Sequence, residues 1–277
     1  MTEWENFPNP PVRLVSFELR FPVRRRIATR PVWDAFEEGL TSDLPNVESF
    51  VREGDDAQLP VHENDLVLRR SNVDRDWAVT LRYNGVTVET TAYVSYGGLR
   101  KCIDSVLLAL ESVPWASPTR LGLRYINEIR VPGASRILDW RPYVNPCLLS
   151  PLNDHPVGYS ASYLQAGLGF HSLSGPEHTY AHYGPLPDSP LEPDDVLQLK
   201  EIDGPCFILD IDSFVSGTAK SPVAATRKEV LDVVDRLHDA VEAVFNWSIT
   251  ERLREEVLRV PPSETEEGAE RAGDRGA

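Results

Sequence analysis

Asp210 and Asp212 stand two residues apart in the stretch FILDIDSFV, Phe207 to Val215. Residues two apart on a strand point to one face, so these carboxylates present their oxygens side by side. A divalent cation can bridge such a pair. Alternation alone also generates Asp-x-Asp, and an arginine opposite converts it into salt bridges. Arg124 and Arg20 are the arginines in question, and cross-strand pairing of this kind contributes roughly 0.2–1 kcal/mol per pair. That reading leads over the metal reading, and no metal site is assigned. His171, His178 and His182 also cluster. His178 and His182 fall on one face of a strand-like run, roughly 13 Å apart at ~3.3 Å per residue. That is too far for two imidazoles to share a zinc, whose Zn–N distance is about 2.0–2.1 Å. His238 is read as a helix-edge residue, not a general base. The run Ser216 to Ser221, SGTAKS, resembles a phosphate loop in composition and precedes a helix, whose N-terminus can hold an anion. Helix-entry loops commonly look like this. The stronger signatures GxGxxG, GxxxxGK, HExxH, GxSxG and paired CxxC are absent from the sequence.

The elements that position these residues are strands with unlike faces. In Arg120 to Val131, RLGLRYINEIRV, one face carries Leu121, Leu123, Tyr125, Asn127, Ile129 and Val131. The other carries Arg120, Gly122, Arg124, Ile126, Glu128 and Arg130, with Gly122 leaving a gap beside Arg124. The first face is apolar except for Asn127 and is assigned to the core. A one-residue slip buries three arginines, so the register is strongly specified. Arg13 to Phe21 and Phe207 to Val215 alternate in the same way. Side by side, the three make a sheet that is apolar below and charged above, with Glu18, Arg20, Arg124, Asp210 and Asp212 on the charged face.

Around them the chain reads as a succession of short strands and a few helices. Trp33, Phe36 and Leu40 mark a short amphipathic helix, and 43–63 reads mostly as loop. Leu66 to Arg69, Trp77 to Tyr83 and Val86 to Val94 form a meander with a hairpin signal at Asn84-Gly85. Leu99, Ile103, Val106, Leu107 and Leu110 trace a helix. Residues 134–156 read as a connector with one short helix. Val157 to Phe170, His178 to Tyr183, Val196 to Lys200 and Phe207 to Val215 are strand-like, with Asp203-Gly204 as a second hairpin signal. Thr226 and Glu229 have the capping-box spacing, and Val230, Val233, Val234, Leu237, Val241, Val244 and Phe245 build a wide apolar stripe after them. The expected fold is α+β, with predominantly antiparallel sheets in two similar halves, each carrying a long amphipathic helix. The halves are 1–133 and 157–260, and 261–277 is polar and acidic, the composition of a disordered tail.

The chain has 277 residues and a formal net charge of −15. That charge argues against a broad nucleic-acid footprint, which needs a basic surface. Arg20 with Arg24 to Arg26 is the best local basic patch. No apolar run reaches the ~18 residues of a membrane span, and the N-terminus has no secretory pattern, so a cytoplasmic location is expected. Three widely spaced cysteines suggest reduced thiols in place of a disulfide framework.

The segments PPVRLVSFELRF, RLGLRYINEIRV, FILDIDSF and LHDAVEAVFNWSITERLR together resemble a sporadically distributed prokaryotic family of unknown function. Arg-Tyr-Ile-Asn and Leu-Asp-Ile-Asp are the most specific parts, and the resemblance runs from about Pro10 to Leu258. It supplies no catalytic residues and no cofactor. Its patchy distribution implies a mobile accessory or defence-associated role. The leading expectation is a cytoplasmic accessory or regulatory protein that acts through another protein, in a defence or toxin–antitoxin setting, without catalysis. One alternative is small-ligand or nucleotide binding in a cleft between the halves, through Arg20, Arg124, Asn127, Asp210 and Asp212. Another is a metal-dependent hydrolase on the Asp210/Asp212 face.

Overall fold

The two-faced stretch is a strand, Arg120–Ile129, and it lies near the middle of one nine-stranded sheet. The computed structural model describes residues 5–23, 34, 36, 38–40, 43–50, 66–111, 118–153, 157–191, 197–200, 202–218 and 220–261. In chain order the strands are β1 (Val12–Arg20), β2 (Asn46–Phe50), β3 (Leu66–Ser71), β4 (Trp77–Arg82), β5 (Gly85–Thr90), β6 (Arg120–Ile129), β7 (Ala166–His171), β8 (His178–Leu186) and β9 (Cys206–Ser216). The long helices are α1 (Tyr96–Leu110) and α2 (Arg227–Ser248). A short turn of helix, α3 (Glu251–Leu253), runs into a π-helical turn over Arg254–Leu258.

The spatial order is β2-β3-β4-β5-β1-β6-β9-β8-β7, and every neighbouring pair is antiparallel. Five strands lie on the β1 side of the β1–β6 boundary and four on the β6 side. On each side a central strand is flanked by the last strand of the run that follows it (β5 beside β1, β9 beside β6), and a long helix comes next. The sheet does not break between the halves, because β6 pairs with β1 on one edge and β9 on the other. Register runs from Arg120 opposite Ser216 to Ile129 opposite Phe207.

Both long helices cover the face that carries Leu121, Leu123, Tyr125 and Ile129. α2 packs on β6, β9 and β8 and lies beside α1. Its buried stripe contains all seven apolar residues expected from the spacing, and the α1 stripe contains all five. Residues from both halves join one hydrophobic cluster. The capping box is formed: Glu229 N–H donates to Thr226 Oγ1 at 3.2 Å, and Thr226 N–H to Glu229 Oε2 at 3.2 Å. Ser95 caps α1 through Gly98 N–H, so Gly97 and Gly98 lie in the first turn of the helix.

Several boundaries differ from the sequence expectation. β2 lies in the stretch read as loop. No strand forms at 197–200; that segment is tied instead by Gln198 N–H to the Arg75 carbonyl and by the Thr91 hydroxyl to the Gln198 carbonyl. β9 therefore pairs with β8, not with a strand across Asp203-Gly204. At the first hairpin the turn falls on Tyr83-Asn84, and Gly85 already pairs with Arg82. A Cβ at Gly85 would stand 2.4 Å from the Leu19 carbonyl oxygen, so glycine serves the close approach of β5 to β1. The stretch 134–153 holds two 3-10 turns, Ile137–Trp140 and Pro146–Leu152. Trp140, Leu148 and Leu149 from those turns are buried in the common core. Phe36 and Leu40 are helical and buried, while Trp33, Arg24 to Arg26 and 262–277 lie outside the described residues. Cys102, Cys147 and Cys206 are free thiols. Among the described residues no helix is long and apolar enough to cross a membrane.

Candidate functional site

The charged face comes together largely as alternation requires. Arg124 and Asp212 sit directly opposite on β6 and β9, but the Arg124 side chain forks onto the next carboxylate, Asp210, at 2.8 and 2.6 Å. Arg120 bridges Glu18 at 2.7 Å and Asp212 at 3.2 Å and lies 4.6 Å over the Phe214 ring. Its guanidinium fills the gap that Gly122 leaves, since a Cβ there would stand 2.5 Å from Arg120 Nη1. Arg20 pairs with Glu18 at 2.7 Å. Both aspartates of the Asp-x-Asp are thus engaged by arginines. Burial raises the pKa of Asp212 despite the Arg120 and Arg124 charges beside it. Among the described residues no group of three or more His, Cys, Asp and Glu is placed to hold a metal ion.

The other sequence candidates fall elsewhere. His171 and His178 face each other across the β7–β8 hairpin with their Nδ1 atoms 3.1 Å apart, a pairing that strand spacing alone does not reveal. His182 is exposed opposite Gly167. The SGTAKS run folds into its own turn, with Thr218 and Ser221 bonded to each other. It ends before the α2 N-terminus, where Thr226 and Glu229 already take amide groups.

Glu128 on the charged side is not solvated. Its side chain has 0% exposure, held by Arg13 at 3.4 Å, Arg130 at 3.1 Å and the Ser189 hydroxyl at 2.5 Å. Arg130 also donates to the carbonyls of Ile202, Asp203 and Gly204. Ser189 and residues 202–204, between β8 and β9, thereby close over that end of the sheet.

Asn127 belongs to the opposite face, as its alternation with Tyr125 requires, and so is separated from Arg20, Arg124, Asp210 and Asp212. It lines a cavity of about 240 Å³ between the sheet and the helices. Four parts of the chain wall it: the segment around Glu5 to Val12, the entry to α1 at Tyr93 to Gly97, Tyr125 and Asn127 of β6, and one side of α2. The α2 contribution is Asp235, His238, Asp239, Val241, Glu242 and Phe245. The polar members at 235, 238, 239 and 242 follow i, i+3, i+4, i+7 spacing, a stripe beside the apolar one. That stripe is the signal a sequence reading focused on apolar residues passes over.

The cavity is rich in rings. Tyr96 stacks on His238 with centroids 3.8 Å apart and planes 6° apart. The Tyr125 hydroxyl is 3.3 Å from His238 Nδ1, and Tyr93 meets the edge of Tyr125 at 5.3 Å. Asp235 accepts the Tyr96 hydroxyl at 2.5 Å and a forked pair from Arg100 at 2.7 and 3.1 Å. Burial works to raise the Asp235 pKa, but the bonds from Arg100 and Tyr96 outweigh it and the net shift is downward. His238, expected at a helix edge, is 5% exposed. Burial pushes its pKa down to about 4, so the imidazole is neutral near pH 7. Burial pushes Glu242 up to about 7 against the pull of Arg254, and Tyr93 up to about 12. A mostly apolar cavity with a few converging polar groups of shifted pKa has the character of a ligand site.

Neither the models of known protein families nor the curated proteins contain a match to this chain.

Proposed function

We propose that the protein binds a small organic ligand in the cavity between α2, the entry to α1 and β6. The observation that carries this reading is the convergence on one half-open space of a buried tyrosine, Tyr125, two partly buried ones, Tyr93 and Tyr96, a neutral histidine and a carboxylate, with residues 5–12 and α2 among the walls. Of the residues first assigned to ligand binding, Asn127 takes part. Arg20, Arg124, Asp210 and Asp212 serve the sheet by pairing with one another and with Glu18 and Arg120. A metal-dependent hydrolase on the Asp210/Asp212 face finds less support, because guanidinium groups occupy the positions a cation needs.

The accessory role implied by the family resemblance is compatible with ligand binding, and we propose it as the setting: a cytoplasmic protein whose liganded state is read by a partner protein. The feature that favours a partner is the face of the sheet that carries no helix among the described residues, where Tyr180 and Arg124 are exposed. The like placement of β5 beside β1 and β9 beside β6 supports a further proposal, that the fold arose by duplication of a strand–meander–helix unit, each half keeping its amphipathic helix.

Thermal melts against a panel of metabolites, amines and nucleotides test the ligand reading, since a ligand that binds the native state raises Tm by mass action. The expected result is a dose-dependent rise with at least one class, abolished in Gly97→Phe. Gly97 lines the cavity and a Cβ there meets no atom within 4 Å, so the added ring enters open space. A panel without any shift, or a shift that survives the plug, overturns the reading.

A further inference from the structure

The acids around the cavity are not equally committed. Asp235 is neutralised by the Arg100 fork. Glu5 is held by a fork from Arg259 at 2.6 and 3.0 Å. Glu242 has neither. Its hydrogen bond among the described residues is a long one, from Asn246 Nδ2 at 3.4 Å. The nearby cation, Arg254, is spent elsewhere: it bonds the Asn246 carbonyl and Oδ1 at 3.2 and 2.7 Å, pairs with Glu251 at 3.5 Å, and lies 5.7 Å over the Phe7 ring. Glu242 therefore lines a space walled by the rings of Phe7, Tyr93, Tyr125 and Phe245 without a guanidinium of its own.

Ring faces carry negative charge density and attract cations, most strongly where water is excluded. Glu242 is half-buried, and a carboxylate partly withdrawn from water is stabilised by a positive or hydrogen-bond-donating partner. An anionic ligand meets the repulsion of Glu242, and a neutral apolar one gives the Glu242 carboxylate no partner. His238 supplies no competing positive charge, because it is buried and stacked under Tyr96. From this geometry we infer that the cavity takes an organic cation, a protonated amine whose ammonium sits on Glu242 and whose apolar body lies against the rings. The inference rests on the reading of the cavity as a ligand site. Since a cavity of about 150 Å³ holds benzene, the space here fits a body of about ten non-hydrogen atoms.

The groups facing Glu242 come from every packed element: His238, Asp239 and Asn246 on α2, Tyr93 before α1, Tyr125 on β6, Glu5 at the N-terminal segment and Arg254 after α3. Of these, Glu242 itself is the one whose pKa is placed at about 7. An amine that stays protonated should bind more tightly as the solution passes from about pH 6 to about pH 8 and Glu242 ionises.

Calorimetric titration of the full chain with phenethylamine, phenethyl alcohol and 3-phenylpropionate tests this. Phenethylamine is expected to bind about ten- to a hundred-fold more tightly than the alcohol, the range of a hydrogen bond to a charged group, and the carboxylate not at all. Glu242→Gln, which keeps the shape, should lower amine affinity to that of the alcohol and remove the pH dependence. Tyr93→Leu should weaken the amine more than the alcohol. Equal affinity for amine and alcohol, tighter binding of the carboxylate, or an amine preference that survives Glu242→Gln overturns the cation inference and leaves the ligand reading standing. Binding of none of the three, while another member of the wider panel binds, also overturns it alone. Silence across the whole panel removes both.

Discussion

Glu128 and Arg124 stand four residues apart on one face of β6, yet their pairings have very different weight. The Glu128 carboxylate is out of water, between Arg13 and Arg130 and against Ser189. Removing its charge leaves two largely buried guanidinium groups without their counter-ion, and breaking a buried pair from one side costs about 3–5 kcal/mol. Arg124, half-exposed, pairs with Asp210 at the surface, where ion pairs contribute about 0–1 kcal/mol. Urea denaturation should therefore separate the two: Glu128→Gln loses about 3 kcal/mol or more, and Arg124→Ala loses less than about 1 kcal/mol. Comparable losses would mean that Ser189 and residues 202–204 do not seal Glu128 from water. The sequence shows that these residues share a face, because period-two alternation is a local property. It does not show that a distant loop closes over one end of that face. Asn127 illustrates the converse. Its polarity within an apolar series marks it as unusual, and its parity places it away from Arg124, but the cavity it lines exists only once α2 and the N-terminal segment arrive.

Elements were legible where their signals are local and redundant. The α2 boundaries follow from the Thr226/Glu229 box and an apolar stripe several turns long, and the β4–β5 hairpin from an Asn-Gly pair, although the turn sits one residue earlier. β2 was hidden in a Pro- and acid-rich stretch because an edge strand can be short and poorly patterned. Of the expected strand Val196 to Lys200, the described residues 197–200 form none for the opposite reason: a few residues of strand-like composition do not make a strand without a neighbour in register. At the start of α1, Gly97 carries a cost that the fold does not need. Glycine is less favourable than alanine in a helix by roughly 0.5–1 kcal/mol, and its position has room for a Cβ. Gly97→Ala should raise stability by up to about that amount, read as an increase in denaturation midpoint with an unchanged m-value. A loss of stability would show that the first turn of α1 needs glycine at this point.

In the whole molecule, one cavity walled by four separate parts of the chain holds two groups with opposed pH responses. His238 has an ordinary value of 6.5 and a folded value of about 4. Its contribution is present above about pH 6.5 and is lost as pH falls through about 4, because the unfolded chain takes up the proton first. Glu242 has an ordinary value of 4.5 and a folded value of about 7. Its contribution is present below about pH 4.5 and is lost as pH rises through about 7, because the folded chain keeps the proton longer. Between about pH 4.5 and 6.5 one contribution grows as the other fades, so the pair largely cancels in the intact protein. A single variant uncovers the hidden half. Relative to wild type, Glu242→Gln should gain stability as pH rises from about 4.5 to 7, by at most about 3 kcal/mol. His238→Asn should gain relative stability as pH falls from about 6.5 to 4. Urea midpoints for the three proteins across this range measure both differences, in which every other titrating group cancels to first order. A flat difference for Glu242→Gln would place the Glu242 carboxylate in water, outside the ring-walled space, and the opposite slope would mean that a cation already neutralises it in the native protein.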